Sequence, residues 1–528
     1  MKSMLYSIIL TAMLTLLVSC SNNNDPVLPQ KDLNGTSSYF EPTDPKGFET
    51  YYKPYVGYVG DPMPFYDPVA KDFKIMYLQE FRPNQVGTYH PIWGLSTKDA
   101  ANYKPLGQLI SCGGLAEQDA AIGTGSVIYN PTDKLYYTFY TGNKYKPASS
   151  DNGQVVMVAT SRDFVNWTKN RTFYLKGDTD GYSKNDFRDP FIFEGDDAKF
   201  HMVVSTIRDG KGVLAEYTSS DMKNWNHAGI FMNMHWDRFY ECPDIFKMGD
   251  WWYLIYSDMS RYSRKVQYFK GHTLDKLKKC SDPLVFPDAK EGVLDSRAFY
   301  AGKTASDGTN RYIWGWCPTR PGNNNTDVGA DKEPEWAGNL VAHKIIQHVD
   351  GTLSFGLIEG ISQKYNIESD LKVMNKTEGI IENKGNYTMN DYSYALFNRL
   401  NVHNKISFTV QTTTSADKFG FSFVRGTDSK KFYSIVVNPE ADNKRKINFE
   451  EEGKEGKGFI VGIDGYMFDT PPDNTYNVTI CTDNSVCVIY INDNVAYTNR
   501  IYGIQKNPWS INSYSGKIEV SNLKVSYY

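Results

Sequence analysis

Four short motifs place an acidic residue at the head of an apolar or aromatic run. They are GDPMPFYDP at 60–68, NDFRDPFIFEGDD at 185–197, ECPDIFKMGDWW at 241–252 and LDSRAFYAG at 294–302. Their acidic residues are Asp61, Asp189, Glu241 and Asp295. A single carboxylate ahead of a proline usually marks only a turn or a cap. Carboxyl groups that lie together, however, can attack, protonate or stabilise a reacting centre, so the repetition needs one explanation.

The motifs open the units of a longer repeat. A strand-like run such as GSVIYNP or PFIFEGD is followed by a turn and a second run, LYYTFYTG or FHMVVSTI, and some units add a third. Five units start near residues 61, 125, 189, 244 and 295, far enough apart for four-stranded antiparallel sheets. The pattern predicts a five-bladed β-propeller. Its innermost strands start at one face, so the acidic residues would surround one funnel.

Short polar segments are predicted to form turns at the blade edges. SRDFVNW at 161–167 and SSDMKNW at 219–225 share one pattern, and STKDAANY at 96–103 resembles a weaker copy. We expect Asp or Ser to cap the backbone of each turn while the aromatic residue packs.

The pattern of apolar and polar residues changes after about residue 362. KISFTVQT, FGFSFVRG, FYSIVVNP and VCVIYIND alternate apolar and polar positions, which is typical of strands in a two-sheet sandwich. We therefore predict an all-β protein with a propeller over 39–360 and a C-terminal β-sandwich over 361–528.

The composition indicates which ligands the protein can bind, and the first residues indicate where in the cell it is located. A net charge of −4 with mixed signs gives no basic surface for nucleic acid, and 38 Tyr, 28 Phe and 10 Trp suit both sheets and sugar-binding clefts. Residues 1–20 carry a Lys, a short apolar stretch and the sequence LVSC, which resembles a bacterial lipobox. We predict that Cys20 is lipidated, that 21–38 is a tether, and that the exported protein is anchored to a membrane by this lipid alone. Ordinary secretion is the alternative.

The remaining six cysteines show no CxxC spacing of a zinc site. Cys481 and Cys487 flank the residues TDNSV of an apparent hairpin, and we expect them to be unpaired. The acidic segments EGDD and NPEADN are expected to be solvated turns. We predict no metal, no cofactor and a monomer.

Taken in order, the motifs resemble those of glycoside hydrolase family 32. FRDP at 187–190 and ECPDIF at 241–246 match two of the three signatures of that family. IMYLQEFRP at 75–83, HPIWGLSTKD at 90–99, GTGSVIYN at 123–130 and SRAFYAGKT at 296–304 are similar to further family stretches. The resemblance covers nearly the whole mature chain. It implies a five-bladed propeller with a C-terminal sandwich and retaining cleavage of levan, inulin or sucrose.

The resemblance also implies roles for particular residues. Asp61 would be the nucleophile, Glu241 the acid/base and Asp189 the transition-state stabiliser, held ionised by a charge-assisted bond from Arg188. Further substrate-binding candidates are Arg188 itself, Gln79, Trp93, Ser126, Trp316 and Trp336; packing in the core is the alternative for the tryptophans.

The first signature departs from the family. The family reads W-M-N-D-P-N-G where this chain reads YVGDPMP at 58–64. The aspartate and its proline remain, but Gly60 replaces an Asn and Met63 and Pro64 replace Asn-Gly. We expect the sugar pocket to be wider and less polar, with sucrose as a poor substrate.

Two alternative functions remain open at this stage. A surface glycan-binding protein could keep the funnel and lose turnover through the altered first motif. A glycosidase similar to family 43, acting on arabinan or xylan, could share the propeller, although that family lacks the ECPD form of the acid motif.

Overall fold

The computed structural model of the chain consists almost entirely of β-strands. It describes residues 48–82, 88–144, 153–234, 239–259, 264–280, 292–323, 325, 335–424, 432–452 and 459–528, together with 29–31 and 38–40. Strand β1 (Pro29–Lys31) in the predicted tether pairs with β2 (Ser38–Phe40), which begins at the last residue of that tether. The predicted signal segment, Cys20 and the rest of the tether lie outside these residues. Within them, no helix has the length and apolar character to cross a membrane.

Five four-stranded antiparallel sheets, the blades, form the first part of the described chain. Blade I contains β3 (Tyr58–Asp67), β4 (Asp72–Glu80), β5 (Ile92–Thr97) and β6 (Lys104–Ile110); blade II contains β7 (Ala121–Asn130), β8 (Leu135–Lys144), β9 (Gly153–Ser161) and β10 (Trp167–Leu175). Blade III contains β11 (Phe187–Glu194), β12 (Phe200–Arg208), β13 (Lys211–Ser219) and β14 (Asn226–Asn233); blade IV contains β15 (Tyr240–Met248), β16 (Trp251–Asp258), β17 (Val266–Gly271) and β18 (Gly292–Val293). Blade V contains β19 (Tyr300–Ser306), β20 (Arg311–Pro318), β21 (Gly338–Gln347) and β22 (Leu353–Gly356).

The innermost strands close into a ring. β3 contacts β7, β7 contacts β11, and the contacts continue through β15 and β19 back to β3. Gly338 of blade V also pairs with Val59 of blade I, so the last blade hydrogen-bonds to the first. The predicted five-bladed propeller is confirmed, and its innermost strands begin within five residues of the predicted unit starts.

Each innermost strand is irregular near its start. The ladder with the second strand slips between Gly60 and Met63, Gly123 and Gly125, Arg188 and Phe191, Glu241 and Asp244, and Tyr300 and Lys303. Three residues in these bulges are left-handed without being glycine: Asp189 at φ 60°, Cys242 at φ 53° and Ala301 at φ 53°. That conformation costs about 1–2 kcal/mol per residue, and a bulge re-aims side chains. The repeated irregularity therefore turns selected side chains toward the funnel.

The blade-edge turns have the predicted construction. Asp163 Oδ1 accepts hydrogen bonds from the amides of Val165 and Asn166, and the Trp167 indole donates to the Phe164 carbonyl. Asp221 and Asp99 accept the equivalent bonds in their own turns. These bonds lower the pKa of the Asp163 and Asp221 carboxyls, so the caps are ionised at neutral pH.

The second part of the chain is a two-sheet sandwich. Helix α1 (Leu274–Lys278) lies in blade IV and α2 (Glu359–Lys364) leads into the sandwich, while Asp178–Asp180 and Pro321–Asn323 are short 3-10 turns. The sandwich strands are β23 (Ile367–Glu368), β24 (Val373–Lys376), β25 (Ile381–Asn383), β26 (Asn386–Met389), β27 (Ser393–Phe397), β28 (His403–Thr412), β29 (Lys418–Val424), β30 (Phe432–Glu440), β31 (Lys444–Glu452), β32 (Phe459–Asp469), β33 (Thr475–Asp483), β34 (Val486–Ile491), β35 (Val495–Arg500), β36 (Trp509–Ser515) and β37 (Ile518–Tyr527).

The alternating sequence pattern separates the faces of the sandwich sheets. One sheet runs β25-β26-β37-β28-β33-β34-β35 with β23 beside β37, and the other runs β24-β27-β36-β29-β30-β31-β32. In β28 every second side chain is buried, which is the period of a half-exposed strand. The predicted sandwich is confirmed, and Cys481 and Cys487 are free thiols, as expected. The predicted boundary at 360/361 falls inside α2 and stays a prediction.

Buried polar bonds join the sandwich to the propeller. Arg500, at the end of β35 and fully buried, donates to the carbonyls of Cys317 (2.8 Å) and Pro318 (3.0 Å) and to Asn339 Oδ1 (2.7 Å). In the opposite direction, Asp483 Oδ2 in β33 accepts from the amides of Thr50 (2.7 Å) and Tyr51 (2.8 Å), just ahead of blade I.

Arg500→Met should lower the free energy of unfolding by about 3 kcal/mol, because it leaves several buried acceptors without a donor. Urea denaturation of the two proteins measures the difference. Arg171→Met is the matched control, because Arg171 is exposed and pairs with Glu117 at the surface. An Arg500 variant as stable as the control would contradict this account of the interface.

Candidate active site

The ring of innermost strands brings the three predicted catalytic carboxylates into one cluster. Asp61 lies on β3, Asp189 on β11 and Glu241 on β15, each at the bulge of its strand. Asp189 is buried; its Oδ2 accepts the Cys242 amide at 2.9 Å, and its own amide donates to Thr141 Oγ1 at 2.9 Å. Asp189 thus connects blades II, III and IV. The charges of Asp61 and Asp189 also act on Glu241, so the three groups share one electrostatic environment.

Asp61 receives one direct hydrogen bond and two more distant positive influences. The Trp316 indole Nε1 donates to its Oδ1 at 3.0 Å. Burial raises the pKa of the Asp61 carboxyl above its ordinary value, and the charge of Asp189 adds to the rise. The Trp316 bond, Lys303 and His90 act in the opposite direction. Burial and Asp189 therefore disfavour the ionised form of Asp61, and these three groups act to restore it.

Glu241 has the more strongly perturbed carboxyl. Its Oε1 accepts from Arg188 at 3.1 Å and its Oε2 accepts from the Tyr300 hydroxyl at 2.9 Å. Burial raises the pKa of Glu241 from 4.5 to about 7; the Asp189 and Asp61 charges also raise it, while Arg188 and Tyr300 lower it. The raised pKa suits the acid/base role predicted for Glu241, and that role stays a prediction. One carboxyl of the cluster can therefore hold a proton at mildly acidic pH.

The expected bond from Arg188 to Asp189 is wrong. Arg188 donates instead to Glu241 Oε1 at 3.1 Å and to Asp186 Oδ1 at 3.1 Å, and its guanidinium lies 4.0 Å from the centre of the Phe239 ring. Neighbouring residues on a strand point to opposite faces, and the left-handed backbone of Asp189 turns its carboxylate toward the Cys242 amide. Arg188 is thus the charge partner of Glu241.

Trp316 and Trp336 belong to the aromatic wall of the cluster. Trp316 is fully buried, and its ring centre lies 5.4 Å from that of Tyr300 and 6.1 Å from that of Trp336. Trp336 is partly exposed, and its ring lies 4.4 Å from that of His90. Trp316 thus contacts Asp61 directly, whereas Trp336 keeps surface free for a ligand.

The space expected to open at Gly60 is occupied, while the expected loss of polarity and the width of the pocket stay predictions. A Cβ atom on residue 60 would lie 2.2 Å from Cη2 of Trp336, so the indole fills the space of the missing side chain. Met63 is buried at 1% exposure and packs with Met76, Leu78 and Ile92 between blades. The changed motif therefore replaces a polar side chain with an aromatic ring and places its methionine in the core.

Gln79, Trp93 and Ser126 make structural contacts. Gln79 is buried and donates to the Val56 carbonyl at 2.5 Å, and Trp93 packs on the core with its ring centre 6.2 Å from that of Phe81. The Ser126 hydroxyl donates to the Pro190 carbonyl and accepts the Ile192 amide, which links blades II and III. Their predicted sugar contacts stay predictions.

Sequence reasoning missed Lys303 and Tyr300. Lys303 is 1% exposed, donates to the Gly125 carbonyl at 2.5 Å and lies in the bulged strand β19. A lysine inside the apolar run RAFYAGKT was the available signal, because a lysine is seldom fully buried unless its charge is paired. Among the described residues, no His, Cys, Asp or Glu cluster has the arrangement to hold a metal ion.

The fourth acidic motif has a different place. Asp295 accepts from the Thr498 amide and hydroxyl, each at 2.7 Å, and His343 Nε2 lies 3.1 Å from its Oδ2. These partners put it at the contact with the sandwich. Asp244, which follows the bulge after Glu241 in β15, accepts the Thr304 amide at 2.6 Å. Both residues make structural contacts, and Asp295 packs against the sandwich, whereas the sequence had predicted it among the acidic residues around the funnel.

Glu241→Gln should stabilise the protein more at pH 8 than at pH 5. The raised folded pKa means that the folded state binds this proton more tightly than the unfolded state, so stability is lost as pH rises from 4.5 to about 7. A glutamine removes that loss. Urea denaturation at the two pH values measures the change, with the exposed Glu359→Gln as control; an equal gap at both would contradict the raised pKa.

Comparison with known proteins places this arrangement in a family. Residues 51–354 match the profile "Glycosyl hydrolases family 32 N-terminal domain" and residues 351–525 match "GH32, BT1760-like, C-terminal domain". An invertase of Debaryomyces hansenii is 23% identical over 515 residues, 92% of this chain and 82% of that protein. The insoluble β-fructofuranosidase CWINV2 of Arabidopsis thaliana is 25% identical over 379 residues, 66% of this chain. That match spans 62% of the Arabidopsis protein, less than two-thirds of its length.

Solved structures share the fold. Fructan 1-exohydrolase IIa from Cichorium intybus superimposes with a TM-score of 0.68 at 15% identity, covering 92% of this chain and 98% of that one. The Bombyx mori GH32 β-fructofuranosidase gives a TM-score of 0.63 at 17% identity, covering 92% and 94%. Because the N-terminal family profile alone matches more than half of the residues, the chain belongs to glycosyl hydrolase family 32.

Proposed function

We propose that the protein is a retaining glycoside hydrolase that cleaves fructose-containing oligo- and polysaccharides of the levan and inulin type. The observation that carries the proposal is that the clustered carboxyl groups have different neighbours, which favour the protonated form of one and the charged form of another. Glu241 has a pKa of about 7 and can donate a proton, while Asp61 keeps the Trp316 hydrogen bond that favours its charged form. Retaining cleavage of a glycosidic bond needs one carboxyl group in each of these two states.

In the first step, Asp61 attacks the anomeric carbon of a fructosyl unit while Glu241 gives its proton to the departing oxygen. The glycosidic bond breaks, and the fructosyl unit is held as an ester on Asp61. In the second step, Glu241 takes a proton from water, whose oxygen attacks the same carbon and releases Asp61. Each of the two inversions reverses the other, so the configuration is retained.

The neighbours of Glu241 suit a group that changes charge twice in each cycle. Arg188 and Tyr300 both donate to its oxygens, and these bonds strengthen when Glu241 becomes an anion. Asp189, held by the Cys242 amide, would accept hydrogen bonds from sugar hydroxyls as positive charge builds on the ring. Lys303 would help to keep Asp61 ionised.

The choice of fructans rests on family membership and on the relatives. The Debaryomyces hansenii protein is named an invertase and the Cichorium intybus protein a fructan 1-exohydrolase. We further propose that the mature protein is anchored by a lipid on Cys20 and works at the cell surface, where polysaccharides can reach the funnel. The LVSC sequence supports this location.

A glycan-binding protein without turnover is the second candidate. The observation that favours it is the altered motif, in which the Trp336 ring replaces a polar side chain beside Asp61. The complete trio of Asp61, Asp189 and Glu241 favours the enzyme, because binding alone needs no proton donor. The resemblance to family 43 is superseded by the match to the family 32 profile.

The pH dependence of kcat/KM should be bell-shaped, with the basic limb near pH 7. Activity falls there because Glu241 loses the proton that the leaving group needs, and it falls at low pH because Asp61 becomes protonated. Arg188→Met removes the positive charge that lowers the pKa of Glu241, so the basic limb should move to higher pH. Initial rates between pH 4 and 9 test this; a basic limb that stays in place would contradict the role of Arg188.

Incubation with sucrose, levan, inulin and arabinan, followed by chromatography of the released sugars, tests the function itself. We expect fructose-containing products from levan or inulin and at least ~10²-fold slower release by Glu241→Gln. Glu359→Gln, an exposed change, should release products at the normal rate. NMR of the first product should show retained configuration. Release from arabinan alone, or normal turnover by Glu241→Gln, would contradict the proposal.

A further inference from the structure

Gly60 and Trp336 form a matched pair at the point where the first motif departs from the family. Three atoms of the Trp336 benzo ring, Cη2, Cζ2 and Cζ3, lie 2.2, 2.7 and 2.8 Å from the position of a Cβ on residue 60. Carbon atoms do not approach so closely, so only glycine fits beneath the indole as it stands. A larger residue 60 would displace the ring.

The indole packs beside a histidine that is itself held in place. The His90 ring lies 4.4 Å from the indole, and His90 Nε2 is 3.1 Å from Glu80 Oε2. Next to it in the chain, Glu335 pairs with Arg82 at 2.9 Å. Ala337, on the other side, has the left-handed φ of 67°. The indole thus contacts His90, and the chain on either side of Trp336 is held by an ion pair and a left-handed residue. A side chain packed in this way can select among ligands.

The pair also lies beside the reacting carboxylate. Asp61 follows Gly60 in the chain, and Trp316, which donates to Asp61, has its ring centre 6.1 Å from that of Trp336. Trp316 is fully buried whereas Trp336 is partly exposed. The free surface of Trp336 therefore borders the place that a sugar attacked by Asp61 must occupy.

An apolar ring distinguishes between two states of a sugar hydroxyl. A free hydroxyl turned toward the benzo ring gives up its bonds to water and finds no acceptor in exchange. A hydroxyl that is already linked to another sugar has no proton to leave unpaired, and its carbon atoms gain contact with the ring. An asparagine at residue 60 would have the opposite effect, because its amide can bond to a free hydroxyl.

We propose that Trp336 is a specificity-determining residue that makes the funnel prefer a substituted fructosyl unit, one linked onward to another sugar through the hydroxyl that faces the indole. The unsubstituted fructosyl unit of sucrose is the disfavoured case. The inference rests on the proposed fructoside hydrolysis and goes further by naming which unit of the substrate reacts at Asp61.

Trisaccharides of two fructosyl units and one glucose, with either 1-linked or 6-linked fructose, provide the test. Hydrolysis of the fructosyl–fructosyl bond puts the unsubstituted unit on Asp61 and yields fructose and sucrose. Hydrolysis of the fructosyl–glucose bond puts the substituted unit on Asp61 and yields a difructose and glucose. We expect the native protein to favour the second pair with at least one linkage. The Gly60→Asn/Trp336→Ala variant should shift the ratio at least ~10-fold toward the first pair, the effect of one hydrogen bond.

The product ratio is measured within one reaction, so a general loss of activity or of folded protein cancels. Trp225→Ala is the matched control, because this partly buried indole packs on Phe139 in the outer part of the blades, with ring centres 5.5 Å apart. It should leave the ratio unchanged. An unchanged ratio in the Gly60→Asn/Trp336→Ala variant with both trisaccharides would overturn the inference, since a merely structural indole affects both bonds alike.

Binding separates this inference from the proposed function. If the native protein released neither pair of products, and no fructose-containing product from levan or inulin, hydrolysis itself would be refuted. Calorimetry with sucrose and the two trisaccharides then decides the role of Trp336 without turnover, in the native chain and in Gly60→Asn/Trp336→Ala. A preference for a trisaccharide that falls at least ~10-fold in the variant supports the inference, and equal preferences overturn it.

Discussion

Three carboxyl groups cannot all be charged in one partly buried cluster without strong repulsion, and the neighbours of each group are arranged around this constraint. Each group has different neighbours. Asp61 has the Trp316 indole, Asp189 has the Cys242 amide, and Glu241 has a guanidinium and a phenol. Burial and the two aspartates push the proton onto Glu241. Burial, with a smaller contribution from the repulsion between the carboxylates, thus makes Glu241 the proton donor.

The bulges are the means by which a regular repeat produces unequal neighbours. A strand without irregularity alternates its side chains between two faces, so adjacent residues cannot both serve one funnel. The left-handed residues Asp189, Cys242 and Ala301 break this alternation at equivalent places in three blades. Their backbone strain is compensated by the surrounding sheets, and it fixes the amide of Cys242 where Asp189 needs a donor.

The sequence was sufficient for the architecture, because short aromatic runs between turns recur and indicated the blades. The heads of those runs supplied four acidic residues, Asp295 among them, and the choice of Asp61, Asp189 and Glu241 came from the family resemblance. The hydrogen-bond partner of Arg188 could not be predicted from the sequence, since it depends on the bulge geometry of two different blades. The contact of Trp336 with Gly60 could not be predicted either, because it joins the first and last blades. A glycine in a sequence does not indicate which side chain packs over it.

The two amide bonds to Asp483 have a consequence for the order in which the protein matures. Thr50 and Tyr51 precede the first blade, yet their acceptor lies in β33, which the ribosome makes only after all five described blades. The carbonyl of Tyr52 meanwhile accepts the Leu340 amide of blade V. Domains commonly fold one after another as they leave the ribosome. Here blade V can already hold Tyr52, but the amides of Thr50 and Tyr51 have no acceptor on Asp483 until β33 has emerged, so the segment ahead of the first blade is fixed to the sandwich only late in synthesis.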